Sequence, residues 1–415
     1  MKTIFYHCVF YSVLLVLLGA ILYSPALDNW YSEFAGDDNW MVYENRHVFN
    51  LSPENIREYF TSFYRGQYSP VNTLFYGVIY HFFGIDPAYF HGFSLILHIG
   101  NVLLVLCFVQ QLISLLRKDS LEGKGGAGYP MVAFITALLF LIHPMQVESV
   151  VWISASKVLL YAFFFLSALV FYLRYIATSH KGFYFLGIVF FILSFGAKEQ
   201  TVVFPLVLVL IDWYLRRDLK DKRVISEKIP FFLLSIGFSV VSMIAQQTGF
   251  SYKLENEYYP LADRIFLASY AFTEYIFKLL VPFKLSAWYR FPIAPGEALP
   301  VQYYFYPILI MFLGYFLWQL WKDGKSWVLF GVAFFIINIM LTLHLLPMAR
   351  GVLMADRYVY VSSIGIFYIL SVYLVGLYQK SRSEPLRRII LSAFVLYLIG
   401  LGGYTFWYTD HWNII

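Results

Sequence analysis

Apolar residues gather along the chain in long continuous runs, near 5–23, 89–116, 129–145, 157–177, 182–197, 200–215, 229–247, 303–321, 326–346, 357–378 and 387–408. Runs of this length predict membrane-spanning helices, because a hydrocarbon core about 30 Å thick takes roughly 20 helical residues. A transmembrane β-barrel would show short alternating segments instead. The pattern therefore predicts an all-α polytopic membrane protein, with residues 1–415 forming a single transmembrane domain. Two further runs fit less well. Residues 69–84 are few and studded with Asn72, Tyr76, Tyr80 and His81. Residues 263–283 carry Glu274 and Lys278, four apart on one helical face. Both read as amphipathic helices lying along the outer interface.

Charge decides the threading. With those two runs left at the interface, 18 of the 30 lysines and arginines fall in short loops on one side, which the positive-inside rule makes cytoplasmic. The expected topology has 11 spans, an N-terminus inside and a C-terminus outside. Long outer segments cover 24–88 and 248–302. The first run exceeds the usual apolar core of a signal peptide, about 7–15 residues, and reads as an uncleaved anchor.

Composition agrees. The chain is 60% hydrophobic and 13% charged, whereas a soluble domain carries about 25% charged residues. The net charge of +5 follows from the loop asymmetry and is no nucleic-acid footprint. The two cysteines, Cys8 and Cys107, lie inside apolar runs, which excludes a disulfide framework and a cysteine-based metal site.

The threading puts four unusual polar clusters on the outer side: Asp37 with Asp38, His143 with Glu148, Lys198 with Glu199, and Asp356 with Arg357, preceded by Arg350. Each has a bland alternative. Acids after a span are ordinary loop residues, and a His before Pro often ends a helix. A Lys-Glu pair can mark a hydrated hairpin tip, although charge at such depth is costly, by about 2.5–3.5 kcal/mol on insertion scales. An Asp at a helix N-terminus is favoured by the dipole; the adjacent Arg357 is not, and needs an anionic partner, either Asp356 or a phosphate. Convergence on one face is what an active site at the membrane surface would produce. In the first outer segment, Ser52, Pro53 and Glu54 predict a capped helix. His91 and His98 read as packed side chains, and Asp212 as an ion-pair partner of neighbouring arginines.

Taken in order, "GDDNWMVYENRHVF", "LIHPMQVESVVWISASKVLLYAFFFLSALVFYL", "GAKEQTVVFPLVLVLIDW" and "ADRYVYVSSIG" make the chain resemble the membrane part of the TMTC-type protein O-mannosyltransferases, within the GT-C class of lipid-dependent glycosyltransferases. The resemblance implies a GT-C fold and metal-independent, inverting transfer of a sugar, mannose in that family. The donor would be a polyprenyl-phosphate sugar, and the acceptor a hydroxyl on a protein, glycan or lipid. Transfer would take place on the non-cytoplasmic face, be it periplasmic, extracellular or lumenal. It makes an Asp of the first outer loop the general base. The family's first acidic position corresponds to Asp37, with Asp38 as orienter or alternate base. Arg357, Lys198, His143 and Arg350 become candidates to hold the donor phosphate, supported by Glu148, Glu199 and Asp356. No cofactor or metal is implied. The family's Tyr-Arg-Pro is here Tyr68-Ser69-Pro70, with Arg65 three residues earlier. The family's tetratricopeptide repeats do not follow the last apolar run, so repeat-based acceptor binding is expected to be absent or supplied by a partner protein. The rival reading is a transporter or flippase of a lipid-linked glycan, which would show charges deep in its spans and an internal repeat.

Overall fold

The computed structural model describes residues 2–28, 36–118, 128–248, 259–345 and 351–412. Among them, helices account for nearly all regular structure. The β-pairing is limited to isolated bridges at Tyr64–Gln67 and Tyr289–Met354. The main helices are α1 (Lys2–Leu22), α2 (Pro53–Thr61), α3 (Pro70–Phe83), α4 (Pro87–Lys118), α5 (Gly128–Ile142), α6 (Val147–Val151), α7 (Ser156–Thr178) and α8 (Lys181–Ala197). They continue as α9 (Phe204–Tyr214), α10 (Ile229–Gln247), α11 (Leu261–Leu280), α12 (Tyr306–Lys322), α13 (Ser326–Ile339), α14 (Ser363–Lys380) and α15 (Glu384–His411). Proline recurs in the first turn, at Pro53, Pro70, Pro205, Pro230, Pro307 and Pro385. There its fixed φ suits the helix and its missing N–H removes no bond. The capped helix expected in the first loop is α2, with the Asn55 amide donating to Ser52 Oγ at 3.2 Å.

Each apolar run contains a helix, and six helical stretches among the described residues are long and apolar enough to cross a membrane. A seventh is bent by 59° between Pro130–Ile142 and Pro144–Val151. The number 11 goes beyond what helix length supports. The 11-residue α9, at 1.5 Å per residue, is about 16 Å long, half of a hydrocarbon core. Neither α3 nor α11, the two helices expected at the interface, is among the candidate spans.

The α7–α8 hairpin is the most closely packed pair; α4 packs on α7, α5 on α4, and α14 on α5. In the Ile153–Thr178 span, 83% of the most apolar stretch is buried, against 6% for Val301–Lys322. Thus α7 is the axis of the bundle. By contrast, α12 turns its apolar surface outward, where lipid takes the place of packing. At the end of α7 remote from the site described below, Asp212 is fully buried and carries the ion pairs expected of it. Arg217 lies at 3.0 Å, Lys228 also pairs with it, and Tyr172 donates to it at 2.9 Å.

Close helix approach depends on small residues, as usual in membrane bundles. A Cβ added to Gly331 on α13 would meet the Gly365 carbonyl oxygen of α14 at 2.5 Å, whereas one added to Gly376 meets nothing within 4 Å. Gly331→Ala is therefore expected to destabilise by about 1–3 kcal/mol through overpacking, and Gly376→Ala to change little. Thermal unfolding of the two purified variants in one detergent checks the difference.

Candidate active site

The site is built around the segment 143–157, where the bundle is not regular helix. Pro144 forces the preceding residue out of the helical region. His143 accordingly has φ −77° and ψ 128°, and its Nδ1 accepts the Met145 amide. Short turns and α6 follow before α7 begins at Ser156. From this strip, fully buried Glu148 reaches the turn Asp356–Val359, which lies before the α14 span. Its Oε2 accepts the Arg357 backbone amide at 2.7 Å, and its Oε1 pairs with the Arg357 guanidinium. The guanidinium is further held between the rings of Trp152 and Tyr358, 4.8 and 5.0 Å from their centres.

The same strip fixes the acid pair. Ser154 donates to Asp38 Oδ1 from its amide at 2.7 Å and from its hydroxyl. Asp38 is 4% exposed. Asp37, one residue earlier, is half-buried, and the Trp40 indole N–H donates to its Oδ1 at 2.9 Å. The two neighbours thus differ: Asp38 is buried and takes both Ser154 donors, whereas Asp37 is half-buried and is held by Trp40 at one oxygen. Tyr76 closes the arrangement, its hydroxyl bonding to the Ile153 carbonyl at 3.0 Å and to Ser156 at 2.9 Å.

Lys198, at the break between α8 and the Glu199–Val203 turn, is 5% exposed. Its ammonium lies 5.9 Å from the Tyr161 ring centre and 5.8 Å from that of Tyr358. Glu199 follows Lys198 directly and opens that turn. Tyr68 brings the first loop to the same place, its ring centre 6.3 Å from that of Phe195 and its hydroxyl on the Phe60 carbonyl at 3.1 Å. Arg65 stays at the surface, paired with Glu44 at 3.5 Å and stacked over Trp40. His143 is fully buried behind the strip, against Phe367. Arg350 lies outside the described residues. All four clusters therefore meet at one end of the bundle. Sequence reasoning missed Ser154, Trp40, Tyr358 and Tyr289, because serines and aromatics are too common in such a chain to stand out. His98 is packed as expected, bonded to Tyr360 at 2.7 Å. Among the described residues no three His, Cys, Asp or Glu side chains group as metal ligands.

Electrostatics separates the roles further. Burial opposes the Arg357 cation, and Glu148, with a smaller contribution from Asp37, more than offsets it. Asp356 is fully buried, and burial followed by the Glu148 charge pushes its carboxyl well above the usual carboxylate range. Its Oδ1 accepts from Tyr289 at 2.9 Å, while Oδ2 has no hydrogen-bond partner among the described residues. Trp152 Nε1 and the Gln200 amide are likewise unpartnered there. Buried polar groups are nearly always satisfied, so Asp356 Oδ2 and Trp152 Nε1, both next to Arg357, leave room for further polar contacts.

No protein-family model matches the chain. Over 151 residues, 34% of this chain, it is 29% identical to the mouse protein O-mannosyl-transferase TMTC1, and equally to the human one. That stretch amounts to 15% and 16% of the length of those proteins, so the chain spans a small part of the curated relatives it matches.

Removing one member of the buried pair strands the other. Glu148→Gln is expected to cost about 3–5 kcal/mol, and the joint change Glu148→Leu with Arg357→Met to recover part of it; size-exclusion profiles and melting temperatures check this. For Asp356 the sign runs the other way from an ordinary carboxylate. A carboxyl whose folded pKa is raised contributes stability fully below the ordinary carboxylate range and loses it as pH rises through the raised value. The wild type should therefore lose melting temperature with rising pH more steeply than Asp356→Asn, which keeps the neutral shape.

Proposed function

We propose that this chain is a membrane glycosyltransferase that moves a sugar, mannose in our reading, from a polyprenyl-phosphate donor to a hydroxyl acceptor at the non-cytoplasmic face. The observation that carries the reading is the meeting of a half-buried carboxylate, Asp37, with a cation-bearing, partly unsatisfied polar region at one end of an apolar bundle. The likeness to the two O-mannosyl-transferases supports the same class.

In this mechanism Asp37 is the general base. It takes the proton of the acceptor hydroxyl as that oxygen attacks the anomeric carbon. The bond from that carbon to the phosphate oxygen breaks, its electron pair leaves on the phosphate, and a single displacement inverts the anomeric centre. Asp38 is the orienter, because both Ser154 donors hold it in the wall. Cationic groups preorganised around the leaving phosphate stabilise the charge that develops there. Lys198, between two tyrosine rings, adds positive charge to the pocket, and Arg357, neutralised by Glu148, shapes it. The acceptor is a hydroxyl of a protein, glycan or lipid.

The test uses the purified chain in proteoliposomes with a radiolabelled mannosyl polyprenyl phosphate and a Ser/Thr peptide. Asp37→Asn is expected to lower transfer by about 10²–10⁴-fold, the range for loss of a general base. Asp38→Asn, which still accepts from Ser154, should lower it less. Wild-type transfer by a folded Asp37→Asn protein would overturn the base assignment.

A further inference from the structure

Most of the cations around the acids have their charge or their donors committed. Arg357 is paired with Glu148, and Arg65 with Glu44. Lys278 donates to the Phe283 and Lys284 carbonyls at 2.8 and 3.1 Å. Lys198 is enclosed between two tyrosine rings.

Lys157 is different. It is half-buried, and its ammonium meets the Gln67 side-chain oxygen at 3.4 Å. Among the described residues it has no carboxylate partner. An ammonium carries three donors, and one long bond to a neutral amide leaves most of that capacity unused. Its place in the first turn of the 23-residue α7 adds to the cost, since the helix dipole disfavours a cation there. An anion is the partner that would stabilise it.

Its surroundings say which. Three residues before it, Ser154 holds Asp38, and beside it Ser156 bonds to Tyr76. Across from it, Gln67 belongs to a tight turn closed by reciprocal Tyr64–Gln67 backbone bonds, each 3.0 Å. Gln67 also lines a small notch with Trp40, whose indole holds Asp37, and with Asn72. Asn72 is 1% exposed, and its Oδ1 has no partner among the described residues. Gln67 thus stands between the Lys157 ammonium and a notch that carries the unmet Asn72 acceptor and the Trp40 indole that holds Asp37.

We propose that Lys157, assisted by Gln67, binds the phosphate of the lipid-linked sugar, with Asn72 Oδ1 accepting from a neighbouring hydroxyl of the same ligand. This rests on the glycosyltransferase reading, and it moves the direct phosphate contact from the cations recognisable in the sequence to one between the first loop and α7.

The test measures binding without transfer. The full-length protein in phosphatidylcholine nanodiscs is titrated with polyprenyl phosphate, with inorganic phosphate in a parallel arm. Lys157→Gln is expected to weaken binding of the lipid by about 10- to 100-fold, as for loss of a charged hydrogen bond. Lys157→Arg should retain it, and Lys322→Gln, far along the chain at the end of α12, should bind as wild type. Gln67→Leu provides a second variant, with a severalfold loss expected, should Lys157→Gln not fold. Unchanged binding by folded Lys157→Gln, or an equal loss in Lys322→Gln, overturns the proposal. Equally tight binding of inorganic phosphate overturns the lipid-linked source. If the lipid binds through Lys157 but no sugar is transferred, the enzymatic reading fails and the site stands; if transfer proceeds unchanged in Lys157→Gln, the reverse holds.

Discussion

The contact on which the site depends is the buried ion pair between Glu148 and Arg357. Two charges in an apolar bundle are tolerated only when each neutralises the other and the remaining donors and acceptors are met. Glu148 does both, accepting the Arg357 main-chain amide as well as its guanidinium. The pair therefore fixes backbone as well as side chain. It joins the broken stretch after Pro144 to the turn ahead of α14, two segments more than 200 residues apart in sequence. Trp152 and Tyr358 pack against the guanidinium.

The same broken stretch also reaches the first loop and α3. Ser154 anchors Asp38, Ser156 and the Ile153 carbonyl hold Tyr76, and Lys157 meets the first-loop turn through Gln67. A continuous helix could not do this, because its backbone donors and acceptors would be used internally. The extended break at Trp152 frees those of Ile153 and Ser154. Adjacent residues acquire opposite characters as a result: Asp38 becomes wall and Asp37 remains available. On α8, Gly196 contributes by absence, since a Cβ there would meet Val71 at 2.6 Å and push the first loop away.

Much of this was legible in the chain. Each apolar run became a helix, the Ser52-Pro53 cap formed, and Asp212 found its basic partners. The four clusters were recognisable because charge is rare in such a composition, and each charged residue had to be explained. Less visible were Ser154, Trp40 and Tyr289, whose types are abundant and whose roles depend on partners distant in sequence. The count of spans was also less secure than the runs themselves, because a run of apolar residues does not reveal where proline will break it or how short the helix becomes.

Hydrophobic pattern and charge asymmetry, being local and additive along the chain, determined by themselves that this is a helical membrane protein with its anomalous polar residues gathered at one end. Which of those residues are structural ties and which remain free was decided only by the tertiary structure. Pairing in a low-dielectric interior depends on ångström-scale geometry between segments: Glu148 on Arg357, Ser154 on Asp38, and Lys157 left with a single amide.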